Sequence, residues 1–425
     1  MMSPTVPLLA QIRVRPPRAP GRVDRGVETN AEIDRQIAAG APVAIGVSGG
    51  KDSCAAAIAT VDHLDRVGHA GPRILIHSDL GRVEWVDSLP TCERLAARLG
   101  LALVVVRRSA GDMMDRWLAR WENSKRRYAE LSCVRVILPW STPAMRFCTS
   151  ELKSAVIAAE LVRRFPGQAI VSASGVRRDE SRDRSDAPTC RVNPRLTRKR
   201  AKTSGVDWNP IAGWLEADIY AFLAARGFAL HEGYTRYGMS RISCVNCIMA
   251  SHDDLAASQS CADNQPVTRE MVELEVASSF AFQGGDQWLG DVRPEILGED
   301  LRARLIEAKQ RARRRVEIEA RIPRHLLYEK GWPTTMPTRA EAEILAAVRR
   351  DIAALLGFAV RYTDADGVLA RFAELLAAKA SKQATQTARE AARATRARTR
   401  TRSQGAAGIE PPRQASGDHE EDPLR

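Results

Sequence analysis

The stretch Ser48-Gly49-Gly50-Lys51-Asp52-Ser53 combines the residue types that hold a phosphate. Adjacent glycines let backbone amides approach an oxyanion, and Lys51 adds positive charge. A helical run beginning at Asp52 adds the unpaired N–H groups of its first turn. The spacing excludes two commoner loops. A Walker A loop needs glycine six residues before the lysine, where Ile45 stands, and Ser or Thr directly after it, where Asp52 stands. A G-x-G-x-x-G dinucleotide fingerprint is absent at this position. A second constellation is Cys244-Val-Asn-Cys247, whose spacing suits a thiolate metal site or, more simply, two packed thiols.

The segments around the glycine loop have to place it at the end of a strand. Residues 42–48 form an apolar run ending in the loop, and residues 52–68 are helical in composition up to Gly68. Residues 73–80 and 101–108 read as buried strands, with a helix between them ending at Gly100. A helix over 149–165 opens on a capping box of Thr149 and Ser150 before Glu151, and 169–177 is a fourth strand. Alternating strands and helices with apolar strands predict an α/β fold, a doubly wound parallel sheet. Its ligand crevice lies beyond the carboxyl ends of the strands. Residues 178–205 are too charged for a core and read as a mobile loop over that crevice. A helix at 214–226 follows, and the chain is helical from about 268 to 378.

With these elements in place, the glycine loop resembles the PP-loop of ATP pyrophosphatases. The chain is similar to the adenine nucleotide alpha-hydrolase superfamily, specifically the phosphoadenosine phosphosulfate (PAPS) reductase family. The likeness is carried by "SGGKDS" (48–53), "HSDLGRVEW" (77–85), "RFCTSELK" (146–153), "SGVRRDESRDRS" (174–185), "NPIAGWLEADIYAFL" (209–223) and "YGMSRISCVNCIMAS" (237–251). These stretches cover roughly residues 43–255 in family order. The resemblance implies that ATP lies over the end of the first strand, its phosphates held by Ser48, Gly49, Gly50, Lys51, Asp52 and Ser53. Ser78 and Asp79 would face the adenosine, while Gly175 and Arg177 close the opposite wall with Lys153 nearby. Lys51, Lys153 and Arg177 then form a cationic clamp for cleavage between the α and β phosphates, work that Mg²⁺ shares. His77 reads as a strand-end histidine satisfied by backbone.

The resemblance also brings Cys148, in "CTSELK", towards Cys244 and Cys247, with Cys261 as a fourth candidate ligand. Related sulfur-transfer enzymes, including the PP-loop component of DNA phosphorothioation, bind a [4Fe–4S] cluster through three or four cysteines. Thiolates suit that cluster or zinc, and spacing does not separate them. PAPS reductases themselves resemble this fold with a degenerate loop and a nucleophilic cysteine in a C-terminal Glu-Cys-Gly-Leu-His segment. Here the loop is intact, and no cysteine follows Cys261. The expectation is therefore ATP cleavage to AMP and pyrophosphate, adenylating an acceptor for sulfur transfer, with a sulfur donor or cysteine desulfurase as partner. Sulfonucleotide reduction, and a nucleotide-binding regulatory or defence component with little catalysis, are the alternatives.

Composition adds the partners. Of the net charge of +12, residues 1–27 contribute +4 and residues 379–402 contribute +7. Basic arms suit a polyanion, so nucleic acid is a candidate partner alongside the plain reading of solvated tails. No run approaches the ~20 apolar residues of a membrane helix, and Pro7 interrupts the short N-terminal apolar run. The expected location is cytoplasmic, with no membrane partner. Eight cysteines in such a chain argue for buried thiols rather than a disulfide framework. The expected organisation is a flexible basic arm (1–27), a PP-loop domain carrying the cysteines (28–261), a helical region (262–378) and a disordered Ala/Arg-rich tail (379–425).

Overall fold

Short runs of Val, Ile and Ala form the central strands, because β-branched side chains suit a pleated surface covered on both faces. In the computed structural model, which describes residues 21–406, these are β1 (Val43–Val47), β2 (Arg73–Asp79), β3 (Ala102–Arg107) and β4 (Ala169–Ala173). Two further strands, β5 (Cys190–Val192) and β6 (Ser204–Trp208), complete a six-stranded sheet of order β3-β2-β1-β4-β6-β5. All pairings are parallel except β5 with β6. Strand order reverses at β1, so the crevice of this doubly wound sheet opens between the carboxyl ends of β1 and β4.

Alternate strand residues feed two cores. Val43, Ile45, Val47 and Leu75 join a cluster with α2 (Lys51–Arg66), α3 (Ser88–Leu99) and α7 (Glu216–Ala225). Ala44, Ile74 and Ile76 join another with α6 (Ala155–Arg164). Ala55, Ala56 and Ala57 are fully buried, so α2 lies close against the sheet. The remaining helices are α1 (Ala31–Ala38), α4 (Met113–Ala129), the single turns α5 (Phe147–Thr149) and α8 (Glu232–Thr235), α9 (His252–Ser260), α10 (Gln265–Ser278), α11 (Glu299–Glu319), α12 (Arg339–Leu356) and α13 (Ala365–Ala406). No helix among the described residues is long and apolar enough to cross a membrane.

Four local expectations change. The charged excursion after 178 is partly a hairpin, since β5 pairs with β6 and Arg198 bridges Thr203. β6, Ser-Gly-Val-Asp-Trp, has too few apolar residues to announce itself. Its pairing with β4 and the close seating of Gly205 on Leu196 and the Ile170 carbonyl make it a strand. β3 is an edge strand, with Val105 45% exposed, rather than a buried one. The capping box at Thr149 is not formed: Glu151 pairs with Arg116 instead, and residues Ser150–Ser154 widen into a π-helical turn before α6.

The chain divides into two compact units. One comprises the chain up to Arg127, Val136–Glu317 and Leu355–Phe358; the other comprises Tyr128–Arg135, Ile318–Ala354 and the chain from Ala359 onward. The sheet-bearing unit continues past residue 261, because α10 buries Val267, Met271, Val272 and Leu274 within it. In the second unit α13 runs as helix to Ala406, into the Ala/Arg-rich tail; alanine, arginine and glutamine are strong helix formers. Residues 1–20 of the basic arm and 407–425 of the tail lie outside the described residues. Within the arm, Arg22 N–H donates to the Asp218 carboxylate at 2.8 Å, and the Trp208 and Trp214 indoles donate to the carbonyls of Glu28 and Gly26.

Candidate functional site

Ser48, Gly49 and Gly50 turn the chain from β1 into α2. Gly49 adopts φ +76°, a conformation natural to glycine, and a side chain there would meet Ser88 and His231. Gly50 is the N-cap of α2 and offers no side chain to the first-turn amides. Among the described residues no acceptor takes the N–H of Gly49 or of Gly50. Ser53 braces the turn: its hydroxyl donates to the Gly50 carbonyl at 2.8 Å and accepts from Ser48 N–H at 3.2 Å. The loop therefore presents open backbone donors at a helix N-terminus, at the sheet's switch point.

Across the crevice, β4 leads into Ser174–Arg177. A side chain on Gly175 would lie 2.7 Å from the Asp52 carbonyl oxygen, so only glycine lets this strand end lie against the first turn of α2. Arg177 is 2% exposed and its Nε donates to Asp52, while Nη1 donates to Asp179 at 3.0 Å. Lys51 is also 2% exposed, not at a solvent-facing turn as a phosphate-holding lysine suggests. Its ammonium donates to the Ser240 carbonyl at 3.1 Å and pairs with Asp52 at 3.4 Å and Glu216 at 3.2 Å. The Tyr220 and Tyr234 rings flank it. Burial pulls the lysine down, but Asp52, Tyr220 and Glu216 outweigh it and hold the ammonium above its ordinary pKa. Two members of the expected clamp are thus paired internally with three carboxylates. A polyphosphate at the loop has to compete with Asp52 for both cations.

Lys153, the third member, lies in the π-helical turn, whose Leu152 carbonyl accepts the Ser78 hydroxyl at 2.5 Å. Ser78 thereby ties β2 to that turn. Asp79 is committed to the Gly81 N–H at 2.6 Å and to Arg107 at 3.0 Å. His77 bonds the Val47 carbonyl at 3.0 Å, as a satisfied strand-end histidine does, and also Glu84 at 3.1 Å. Burial opposes its charge, but its bonds to Cys92 and Glu84 prevail and push it up to about 10.

The Cys-x-x-Cys turn is anchored by its two middle residues. Val245 and Asn246 are buried, with Val245 N–H on the Val83 carbonyl at 2.7 Å and Asn246 on Thr268 at 2.9 Å. Cys244 and Cys247 are left half-buried. Cys148, Cys247, Glu84 and Lys153 all act electrostatically on Cys244, whose thiol burial pushes up to about 12. The three thiols therefore share one region with Lys153. Cys261 is buried at the end of α9 and bonds Tyr237. Among the described residues no group of three or more His, Cys, Asp or Glu side chains is arranged to hold a metal ion.

Sequence reasoning missed Tyr220, Glu216, Tyr234, Ser240 and His231, which enclose the loop from α7, α8 and the segment before the cysteines. Glu216, Tyr220 and Ser240 lie inside the stretches that carry the family resemblance, which was the available signal. Tyr234 OH accepts from both Lys51 N–H and Ile242 N–H at 3.1 Å. His231 is fully buried, accepts from Gly233 N–H at 2.9 Å and lies beside Gly49.

Burial lowers the pKa of His231 to about 4, against the opposing charge of Asp87. At neutral pH both folded and unfolded chains carry it uncharged. Below about 6.5 the unfolded chain takes up a proton that the folded chain refuses until about 4, so stability is lost as pH falls through that window. Thermal unfolding at stepped pH values should show an acid-side loss that shrinks in His231→Gln; an unchanged acid limb would contradict this.

A loop of open amides between β1 and α2 of a doubly wound sheet defines an anion-binding α/β domain of the nucleotide-binding class. Residues 42–250 match the family model described as the phosphoadenosine phosphosulfate reductase domain. Among solved structures, phosphoadenylyl-sulfate (PAPS) reductase from Candida auris, in a phosphate complex, is similar over 52% of this chain and 98% of that chain. The identity is 12% and the TM-score 0.32. Curated proteins give no match.

Proposed function

We propose that this domain binds ATP at residues 48–53 and cleaves it to AMP and pyrophosphate, adenylating an acceptor for sulfur transfer. The observation that carries the reading is the intact loop: the unpaired Gly49 and Gly50 amides at the Gly-capped N-terminus of α2. An acceptor oxygen attacks the α-phosphorus, the bond to the α,β-bridging oxygen breaks, and pyrophosphate leaves with that electron pair. Open amides at the loop suit the β and γ phosphates. Arg177, once released from Asp52, supplies a buried charge for the developing negative charge. Mg²⁺ carried in with the phosphates would neutralise part of their charge.

Sulfonucleotide reduction is the second reading, favoured by the family match over residues 42–250. The discriminating experiment follows products by chromatography. Incubation with α-labelled ATP and Mg²⁺ should release pyrophosphate in step with AMP or an adenylate. Release of sulfite from PAPS with a thiol donor, without pyrophosphate from ATP, would establish reduction instead. Nucleotide binding without either product would leave a regulatory component. A [4Fe–4S] cluster or zinc on Cys148, Cys244 and Cys247, and nucleic acid as acceptor, belong to this proposal too. Anaerobic purification with iron and zinc analysis checks the metal: Cys244→Ser and Cys247→Ser should lose the same element together, while Cys261→Ser keeps it.

A further inference from the structure

A cavity of about 580 Å³ lies in the sheet-bearing unit, and neither the phosphate loop, Arg177 nor any cysteine lines it. One wall is the segment after Cys247, Ile248–His252, with Leu255; the other is the loop from Phe282 to Val292. The volume is within the range of small-molecule sites. Its walls are held by designed-in bonds rather than by chance contact. The Gln283 side-chain amide donates to the carbonyls of Ile248 at 3.1 Å and Ala250 at 2.9 Å, stitching one wall to the other. From α10 the fully buried Glu275 carboxylate accepts the N–H groups of Phe282 at 2.7 Å, Leu289 at 2.8 Å and Gly290 at 3.2 Å, holding the loop from beneath.

The lining has a definite chemistry. Leu255, Phe282, Trp288 and Leu289 form a buried apolar floor. Phe282 is fixed edge-on to Trp140 at 5.1 Å. Trp288 is 4% exposed, and its indole N–H has no acceptor among the described residues. The lining holds two carboxylates, Asp286 and Asp291, and one histidine, His252, with no lysine or arginine, on a chain of net charge +12. Asp291 is neutralised by Lys309. Asp286, on the exposed part of the loop, has no side-chain partner among the described residues. With Asp291 compensated, Asp286 is the uncompensated charge of the lining and favours a cation over an anion, while a purely apolar occupant would leave the buried Trp288 donor unpaired.

We infer that this cavity is a second binding site, for a small organic cation with an apolar or aromatic body that carries a hydrogen-bond acceptor. The ammonium group meets Asp286 at the mouth, the body packs on Phe282 and Leu255, and the acceptor takes the Trp288 N–H. Aromatic walls add a further attraction for a cation. The site is independent of the reading of the phosphate loop, so either can fail alone.

Three probes with one body and different charge test it by calorimetry and Trp fluorescence on the full chain: tyramine, 4-ethylphenol and 4-hydroxyphenylacetate. Tyramine should bind saturably at one site, about fivefold or more tighter than 4-ethylphenol, with the carboxylate weakest. Asp286→Asn, a change on an exposed loop, should remove the preference for tyramine while leaving 4-ethylphenol unchanged. Trp288→Phe should weaken both phenols, and its unfolding transition reports whether the fold is kept. No saturable binding of tyramine, equal affinity for all three probes, or a charge preference that survives Asp286→Asn would overturn the proposal.

Discussion

Gly175→Ala should reduce ATP affinity by about tenfold or more while leaving the sheet assembled. The added methyl would sit 2.7 Å from the Asp52 carbonyl oxygen, 2.8 Å from its carbon and 2.9 Å from Ser53 N. All three atoms belong to the backbone of the first turn of α2, so no side-chain rotation relieves the clash. Either the end of β4 retreats or the helix N-terminus does, and both change the distance between Arg177 and the loop amides. Gly46→Ala provides the comparison, because its nearest neighbour is 3.5 Å away, an ordinary contact. Titration calorimetry with ATP measures the affinity, and circular dichroism checks the fold. Equal affinity in Gly175→Ala and wild type would mean that the β4 end does not position the phosphate site.

The second large effect concerns the other unit. Arg349 on α12 is 1% exposed and donates to four carbonyls: Tyr128 at 2.8 Å, Ala129 at 3.0 Å, Arg361 at 2.6 Å and Tyr362 at 3.1 Å. Its guanidinium lies 5.0 Å from the centre of the Tyr128 ring. One planar fork thereby ties two chain segments together, adding to the backbone bonds that the Tyr128 and Ala129 carbonyls accept from Leu131 N–H and Arg361 N–H. Arg349→Met fills a similar volume but removes four buried bonds from a charged donor, and it should destabilise the unit by about 3–5 kcal/mol. Arg349→Lys keeps the charge yet cannot reach all four acceptors, so it should lose a smaller but clear part of that stability. Urea unfolding followed by circular dichroism gives both values. A loss within about 0.5 kcal/mol for Arg349→Met would show that these carbonyls find other partners.

The internal pairing of Lys51 and Arg177 alters what their substitution means. Lys51→Ala does not trim a surface contact. It removes a buried ammonium and leaves Asp52 sharing Arg177 alone, so a loss of stability accompanies any loss of phosphate affinity. Glu216, which pairs with Lys51 and is half exposed, is the gentler handle. Glu216→Gln removes one of the ammonium's two carboxylate partners without opening a cavity.

The β1, β2 and β4 strands, the glycine turn and the alanine-rich α2 were readable from the amino-acid sequence because their causes are local. Consecutive β-branched residues, two glycines and a run of helix formers carry their preferences with them. A crevice beyond the carboxyl ends of the strands followed from alternation, and its placement between β1 and the Gly175–Arg177 wall from the family resemblance. β6 was not readable, since Ser204–Trp208 becomes a strand only by pairing with β4. The π-helical turn at Ser150–Ser154 was hidden for a similar reason: Glu151 engages Arg116, 35 residues earlier, in place of its own helix end.

Residue types at the site were likewise set by the sequence, while their partnerships belong to the tertiary structure. Lys51 and Arg177 appear as two cations 126 residues apart in a linear reading. Folding inserts Asp52 between them and brings Glu216 and Asp179 alongside, turning an open clamp into a compensated one. The cysteines show the same division. Spacing marks Cys244 and Cys247 as a pair, but only the fold brings Cys148 within electrostatic reach of Cys244 and places Cys261 against Tyr237. Local sequence determines which groups are present and which backbone carries them. Charge pairing and burial depend on distances across the fold, so only the tertiary structure decides which groups are free to act.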